Sequence, residues 1–144
     1  MSLPACSPHR PSGVHVLADL YGIAAERLTS VDAIDRLLRE AAAAAGAHVL
    51  HSRFHGFGEA QGVTGVVLLA ESHISIHTWP ESGFAAADIF MCGNAQPELA
   101  LRVIELALAP AARSVQRIER GAPVASQATQ ALIQWADGEA KEPL

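Results

Sequence analysis

The sequence predicts an α+β fold, a two-layer sandwich in which helices pack on one face of a mainly antiparallel sheet. Strand and helix periodicities follow one another along the chain in the order β-α-β-β-β-β-α-β. The run of consecutive strands favours antiparallel pairing, and two helices suffice to cover only one face of the sheet. Half of the 144 residues are hydrophobic, which supports a buried core and argues against disorder. The uncovered face predicts a homodimer.

The first half of the predicted domain contains one strand and one helix. Residues 1–12 carry three prolines and no apolar stretch of signal-peptide type, so we expect a flexible tail and a cytoplasmic protein. Residues 13–20 alternate between apolar and polar side chains, as a half-buried strand does. Thr29 or Ser30 is placed to cap a helix that begins at Val31 and ends at Gly46. The apolar face of this helix comprises Ile34, Leu37, Leu38, Ala41, Ala42 and Ala45.

Four extended segments separated by turns fill the middle of the chain. They are residues 47–57, 63–71, 73–78 and 85–91, with turns at 58–62 and 80–83.

The last part of the predicted domain is a helix followed by a strand. Asn94 is expected to cap a helix over residues 97–109, and residues 113–119 fit a strand. The buried face of that helix is predicted to contain Leu99, Val103, Leu106 and Ala107. The domain is therefore predicted to span residues 13–121. Residues 122–144 form a C-terminal extension, with a helix at 126–135 and a polar tail from 137 onwards.

Composition excludes several classes of partner. The net charge is −5 and there is no basic cluster, which argues against nucleic acid. No apolar run approaches the roughly 20 residues that a membrane-spanning helix needs. The two cysteines, Cys6 and Cys92, lie in very different contexts, so reduced thiols are expected rather than a disulfide.

Residues 71–79, Glu-Ser-His-Ile-Ser-Ile-His-Thr-Trp, concentrate reactive side chains in one predicted strand. Alternation places His73, Ser75 and His77 on one face. This pattern fits an ordinary half-exposed strand. A zinc site formed by His73, His77 and Cys92 is weak because the spacing matches no recognised zinc pattern. A hydrolase with Ser72 as nucleophile and His77 as base stays open, although no G-x-S-x-G motif occurs.

A longer pattern around this segment resembles a known family. The run from Gly62 to Glu81, together with residues between 83 and 93, resembles the prokaryotic S-adenosylmethionine decarboxylase proenzymes, and the likeness extends over about residues 13–121. The later residues are Gly83, Ala85, Ala86, Asp88, Ile89, Phe90, Cys92 and Gly93. The resemblance implies a chain that cuts itself between Glu71 and Ser72 and converts Ser72 into a pyruvoyl group. That ketone is the electron sink which decarboxylation of an amino acid requires.

The resemblance also implies roles for individual residues. Cys92 matches the proton donor to the substrate carbon, and His77 matches the histidine that assists processing. Thr64 stands where the family usually has a serine that supports the rearrangement. In substrate binding, Phe57 and Trp79 match aromatic residues that stack on adenine, and Glu81 matches the carboxylate that holds the ribose. No metal is implied.

The implied reaction converts S-adenosylmethionine to its decarboxylated form for spermidine synthesis. Phe84 and Met91 depart from the residues common in the family. A pyruvoyl-dependent ornithine or arginine decarboxylase is therefore an alternative, as is a non-cleaving regulatory homologue that binds adenosyl ligands.

Strand geometry raises one difficulty. Ser72 and His77 are five residues apart, so a straight strand would place them on opposite faces. Either the chain bends near Ser72, or His77 acts from a turn or across strands.

Overall fold

Alternating side chains build six strands into a single antiparallel sheet in the computed structural model, which describes residues 11–121. The strands are β1 (Gly13–Tyr21), β2 (Val49–Gly56), β3 (Val63–Leu69), β4 (Ser72–Trp79), β5 (Phe84–Cys92) and β6 (Ala112–Arg120). They lie in the order β2-β3-β4-β5-β1-β6, and every neighbouring pair is antiparallel. Two helices, α1 (Val31–Ala44) and α2 (Pro97–Leu108), pack against each other and over one face of the sheet. The predicted α+β fold class is confirmed.

Helix α1 follows its sequence signals. The Ser30 hydroxyl accepts a hydrogen bond from the Ala33 N–H at 3.2 Å, so Ser30 rather than Thr29 is the cap. Gly46 adopts a positive φ of 77° just after the helix, a conformation that glycine reaches without a Cβ penalty. All six residues of the predicted apolar face are buried.

Helix α2 corrects two predictions. Its N-cap is Gln96, followed by Pro97 in the first turn, and not Asn94. Leu99 is 41% exposed, Leu106 is 75% exposed and Ala107 is also exposed, so these three do not belong to the buried face. Val103, the fourth residue predicted there, is half-buried. The inward residues are Pro97, Ala100, Leu101, Ile104 and Leu108. This helix is apolar around most of its circumference, and packing against α1 and the sheet, rather than periodicity, selects the buried side.

Strand β4 divides the molecule into a packed side and an open side. Ile74, Ile76 and Thr78 are buried beneath the helices. His73, Ser75 and His77 project from the opposite face, which neither helix covers; this is the open face of the sheet. The alternation predicted from the sequence is therefore confirmed for residues 73–78.

Other predictions concern residues that the structure does not describe. The helix expected at 126–135, the polar tail after it and Cys6 lie outside residues 11–121. Within that range, no helix is both long and apolar enough to cross a lipid bilayer.

Thr78 is the one buried polar residue among those the structure describes, and its hydroxyl is fully used. Its Oγ1 donates to the Leu28 carbonyl oxygen at 2.7 Å and accepts from the Val63 N–H at 2.8 Å. These bonds tie the end of β4 to the start of β3. Thr64 and His77, one residue away on each strand, are thereby held in fixed positions.

We expect Thr78→Val to lower the free energy of unfolding by about 2 kcal/mol, because the change keeps the side-chain shape but leaves two buried backbone groups unpaired. Urea denaturation in a Ser72→Ala background, which removes the hydroxyl expected to cut the chain, measures the loss. Thr78→Ser, which retains the hydroxyl, is the matched control and should lose less. Equal losses for valine and serine would show that the hydrogen bonds do not matter.

Candidate active site

The peptide bond between Glu71 and Ser72 lies in the tight turn that joins β3 to β4. Leu69 pairs with Ser72 across this hairpin, so Ala70 and Glu71 form the turn. The Glu71 carbonyl oxygen accepts two hydrogen bonds from Cys92, from its backbone N–H at 3.1 Å and from its thiol at 2.9 Å. Two donors aimed at one carbonyl oxygen stabilise the negative charge that builds up there when a nucleophile attacks the carbon.

Ser72 has a strained backbone. Its φ is 152°, in a region that residues with a side chain rarely occupy. In a regular strand, residues 72 and 73 would point to opposite faces. Here the Ser72 hydroxyl instead lies 3.1 Å from Nδ1 of His73. The chain therefore bends at Ser72, but this bend brings the Ser72 hydroxyl to His73 and not to His77.

The Glu71 side chain anchors this turn to the residue preceding β2. Its carboxylate accepts from the His48 N–H at 2.9 Å and lies 2.7 Å from His48 Nδ1. Burial alone would raise the pKa of the Glu71 carboxyl, but the hydrogen bonds from His48 outweigh it and lower the pKa below its ordinary value. Sequence reasoning did not identify His48, since nothing in its local pattern distinguishes it from the end of a loop.

A second cluster lies at the other end of β4. Thr64 and His77 face each other directly on β3 and β4, and Thr64 Oγ1 is 2.6 Å from His77 Nδ1. They line a cleft of about 420 Å³, a volume suited to a small-molecule ligand. The cleft residues are Phe57, Gln61, Gly62, Val63, Thr64, His77, Thr78, Trp79 and Glu81. Five of the residues predicted from the sequence therefore meet in one place.

Aromatic rings give this cleft flat apolar walls. Trp79 stacks on Phe84 with ring centroids 5.3 Å apart, and it is 41% exposed, so part of the indole remains accessible. Phe57 is 62% exposed and rests edge-on against His55. Such rings are suited to stacking on a planar heterocycle and attract a nearby cation.

Within one chain the two clusters do not meet. Ser72 and His77 are separated by five residues of extended strand, or roughly 16 Å at about 3.3 Å per residue. Glu71, Ser72 and Cys92 lie at one end of the sheet, and the cleft lies at the other. The zinc interpretation also finds no geometric support, because residues 11–121 contain no group of three or more candidate ligands placed around a common point.

Comparison with known proteins identifies the family. A family model described as S-adenosylmethionine decarboxylase matches residues 14–121. The chain belongs to the S-adenosylmethionine decarboxylase family. The resemblance read from the central segment is thereby confirmed.

Individual relatives cover most of this chain. It is 44% identical over 119 residues to the S-adenosylmethionine decarboxylase proenzyme of Persephonella marina, covering 81% of this chain and 89% of the relative. It is also 44% identical over 110 residues to that of Methanococcus maripaludis, covering 76% and 89%. A crystal structure of the adenosylmethionine decarboxylase from Aquifex aeolicus aligns with a TM-score of 0.72 and 42% identity, covering 80% of this chain and 95% of that one.

The anchored turn should respond to pH in a defined direction. The pKa of Glu71 is lowered in the folded chain, so its stabilising effect is present above its ordinary pKa of 4.5 and is lost as the pH falls through the folded value. In a Ser72→Ala background, we expect Glu71→Gln to unfold at lower urea concentration than the parent at pH 7. The difference should shrink below pH 4.5. A difference that stays constant with pH would contradict the ionised anchor.

Proposed function

We propose that this protein is a self-processing, pyruvoyl-dependent decarboxylase that converts S-adenosylmethionine to decarboxylated S-adenosylmethionine for spermidine synthesis. The observation that carries the proposal is the Glu71 carbonyl, which two Cys92 donors polarise beside the hydroxyl of Ser72. Membership of the S-adenosylmethionine decarboxylase family favours this substrate over ornithine, arginine or a purely regulatory role.

Processing begins with attack of Ser72 Oγ on the Glu71 carbonyl carbon. The carbon–nitrogen bond between the two residues breaks, the nitrogen gains a proton, and Glu71 becomes esterified to the serine oxygen. Loss of the Ser72 α-proton then breaks the bond between Cβ and Oγ of Ser72. This releases Glu71 with a free main-chain carboxylate and leaves dehydroalanine at position 72. Its enamine tautomerises, and water replaces the nitrogen to give the ketone and ammonia. The Cys92 N–H and thiol stabilise the oxyanion of the first step.

The residues around position 72 fit a pyruvoyl group. When formed, that group supplies the electron sink for decarboxylation. β4 pairs with β3 and β5 from Ser72 onwards, so its ladders hold the new chain start in place after cleavage. The Cys92 thiol lies beside the same turn and is suited to hold the proton that replaces carbon dioxide. A reducing compartment such as the cytoplasm preserves that thiol.

The cleft at the far end of β4 suits the nucleoside part of the substrate. Phe57 and Trp79 would stack on the adenine, and the Glu81 carboxylate would accept hydrogen bonds from the ribose hydroxyls. The same aromatic faces attract the positive sulfonium. His77, hydrogen-bonded to Thr64, would assist the elimination step.

The Ser72 turn and the cleft around His77 can act on one substrate if they come from different protomers. We therefore propose a homodimer in which the open faces of two sheets pack against each other about a twofold axis. Such an axis repeats each contact twice, so the cleft of each protomer can meet the Ser72 turn of its partner. Exposed apolar side chains on the open face, including Tyr21, Leu68, Trp79 and Ile118, supply surface that such packing would bury.

The first test is the mass of the purified protein. We expect two chains on denaturing mass spectrometry, residues 1–71 and a second chain of 73 residues that begins with a pyruvoyl group. Carbon dioxide should be released from S-adenosylmethionine and not from ornithine or arginine, and borohydride should abolish the release. An intact chain with unmodified Ser72 would overturn the proposal. Release from a plain amino acid alone would reassign the substrate.

The second test asks whether the site is shared between protomers. Ser72→Ala and His77→Ala should each be inactive as pure proteins. A mixed dimer contains one site with both residues intact, so co-expression of differently tagged variants and isolation of the doubly tagged form should restore activity. Mixed dimers as inactive as either parent would show that Ser72 and His77 of the same chain act together.

A further inference from the structure

Among residues 11–121, His73 is the ionisable side chain within hydrogen-bonding distance of the Ser72 hydroxyl, the proposed nucleophile. Its Nδ1 lies 3.1 Å from Ser72 Oγ. The bend at Ser72, with its φ of 152°, creates this contact, because a regular strand would direct the two side chains apart. His77, by contrast, is hydrogen-bonded to Thr64 at the far end of β4. The two histidines of the central segment therefore occupy different places in the chemistry.

The surroundings of His73 favour its neutral form and hold its ring in place. The imidazole packs edge-on against Phe90 and His15, with ring centroids 6.0 and 6.2 Å away. Burial lowers its pKa below the ordinary range, and the charges of His15 and Arg120 lower the pKa further, whereas Asp88 opposes them. A neutral imidazole with its hydrogen on Nε2 presents a lone pair on Nδ1 to the serine hydroxyl.

We propose that His73 is the general base that removes the proton from the Ser72 hydroxyl as it attacks the Glu71 carbonyl. The inference rests on the proposed self-processing. The proton moves from Oγ to Nδ1 while the oxygen–carbon bond forms. The imidazolium then gives the proton to the Ser72 nitrogen as the carbon–nitrogen bond breaks. The imidazole ends neutral, and an amide has become an ester plus a free amine.

This assignment gives each histidine one step. His73 serves ester formation from within the same chain, and His77 serves the later elimination. Loss of each residue should therefore stop the chain at a different species. Loss of His73 leaves the amide precursor, whereas loss of His77 leaves the ester.

The test compares processing rates of newly made chains. Wild type, His73→Phe, His73→Ala and His77→Ala are produced by cell-free synthesis, synthesis is stopped, and the cut fraction is followed on denaturing gels. His73→Phe keeps a ring against Phe90 but has no base, so processing should slow by about 100-fold. Added imidazole should partly restore His73→Ala. The matched control is His51→Phe. His51 lies on β2 and also projects from the open face, so this variant should process like wild type.

Hydroxylamine identifies the species that accumulates, since it cleaves esters and leaves amides intact. The His73 variants should resist it, whereas uncut His77→Ala should be cleaved at residue 71. Raising the pH from 5 to 7 should speed wild-type processing and leave His73→Phe nearly unchanged, as expected for a base that works when neutral. Thermal unfolding of His73→Phe in a Ser72→Ala background should match its parent.

Several outcomes would overturn the inference alone. One is that wild type is cut and His73→Phe is processed at a rate within twofold of wild type. Another is that the His73 variants accumulate an ester that hydroxylamine cleaves. A third is that His73→Ala is processed slowly and added imidazole does not restore its rate. A wild type that never cuts would overturn the proposed function as well.

Discussion

The pairing of Cys92 with the Glu71 carbonyl is the constraint on which the rest of this site depends. Its two hydrogen bonds exist because β5 pairs with β4 in one register, in which Met91 lies opposite Ser72. A slip of one residue would move the thiol to the helix side of the sheet and remove both donors. The core residues of β5, Ile89 and Met91, are fully buried and fix that register. Hydrophobic packing on one face thus determines electrostatics on the other.

The sheet separates stability from chemistry. Its packed face meets the helices to form the core, whereas its open face carries the histidines, the thiol and the aromatic rings. Mutations on the open face that alter reactivity therefore need not perturb folding. Thr78 is the residue that links the two faces, since its side chain is buried in the core while its hydrogen bonds position the neighbouring Thr64 and His77. Because β4 is a single stiff element, the distance between its two reactive ends is fixed within a protomer.

Strong periodic signals were sufficient to predict the strands, helix α1 and the fold class. The buried face of α2 could not be predicted, since Leu99 and Leu106 are as apolar as the residues that pack inward. The sequence also identified the motif around Ser72 through a family resemblance. From the sequence, a bend near Ser72 was only one of several possibilities. The sequence could not reveal the contact with His73 or the His48 anchor, because each depends on how the fold places the residues around the turn.

The strand order has a consequence for a chain cut after Glu71. The first fragment would contain β1, β2 and β3, and the second would contain β4, β5 and β6. In the sheet, however, β1 of the first fragment lies between β5 and β6 of the second. Each fragment is therefore threaded into the other along several backbone ladders, and cleavage would release nothing. Once such a pair is denatured, however, recovery requires two separate molecules to meet and interleave. Maturation would convert reversible, unimolecular folding into assembly that depends on concentration, so the mature protein would persist by slow unfolding rather than by refolding.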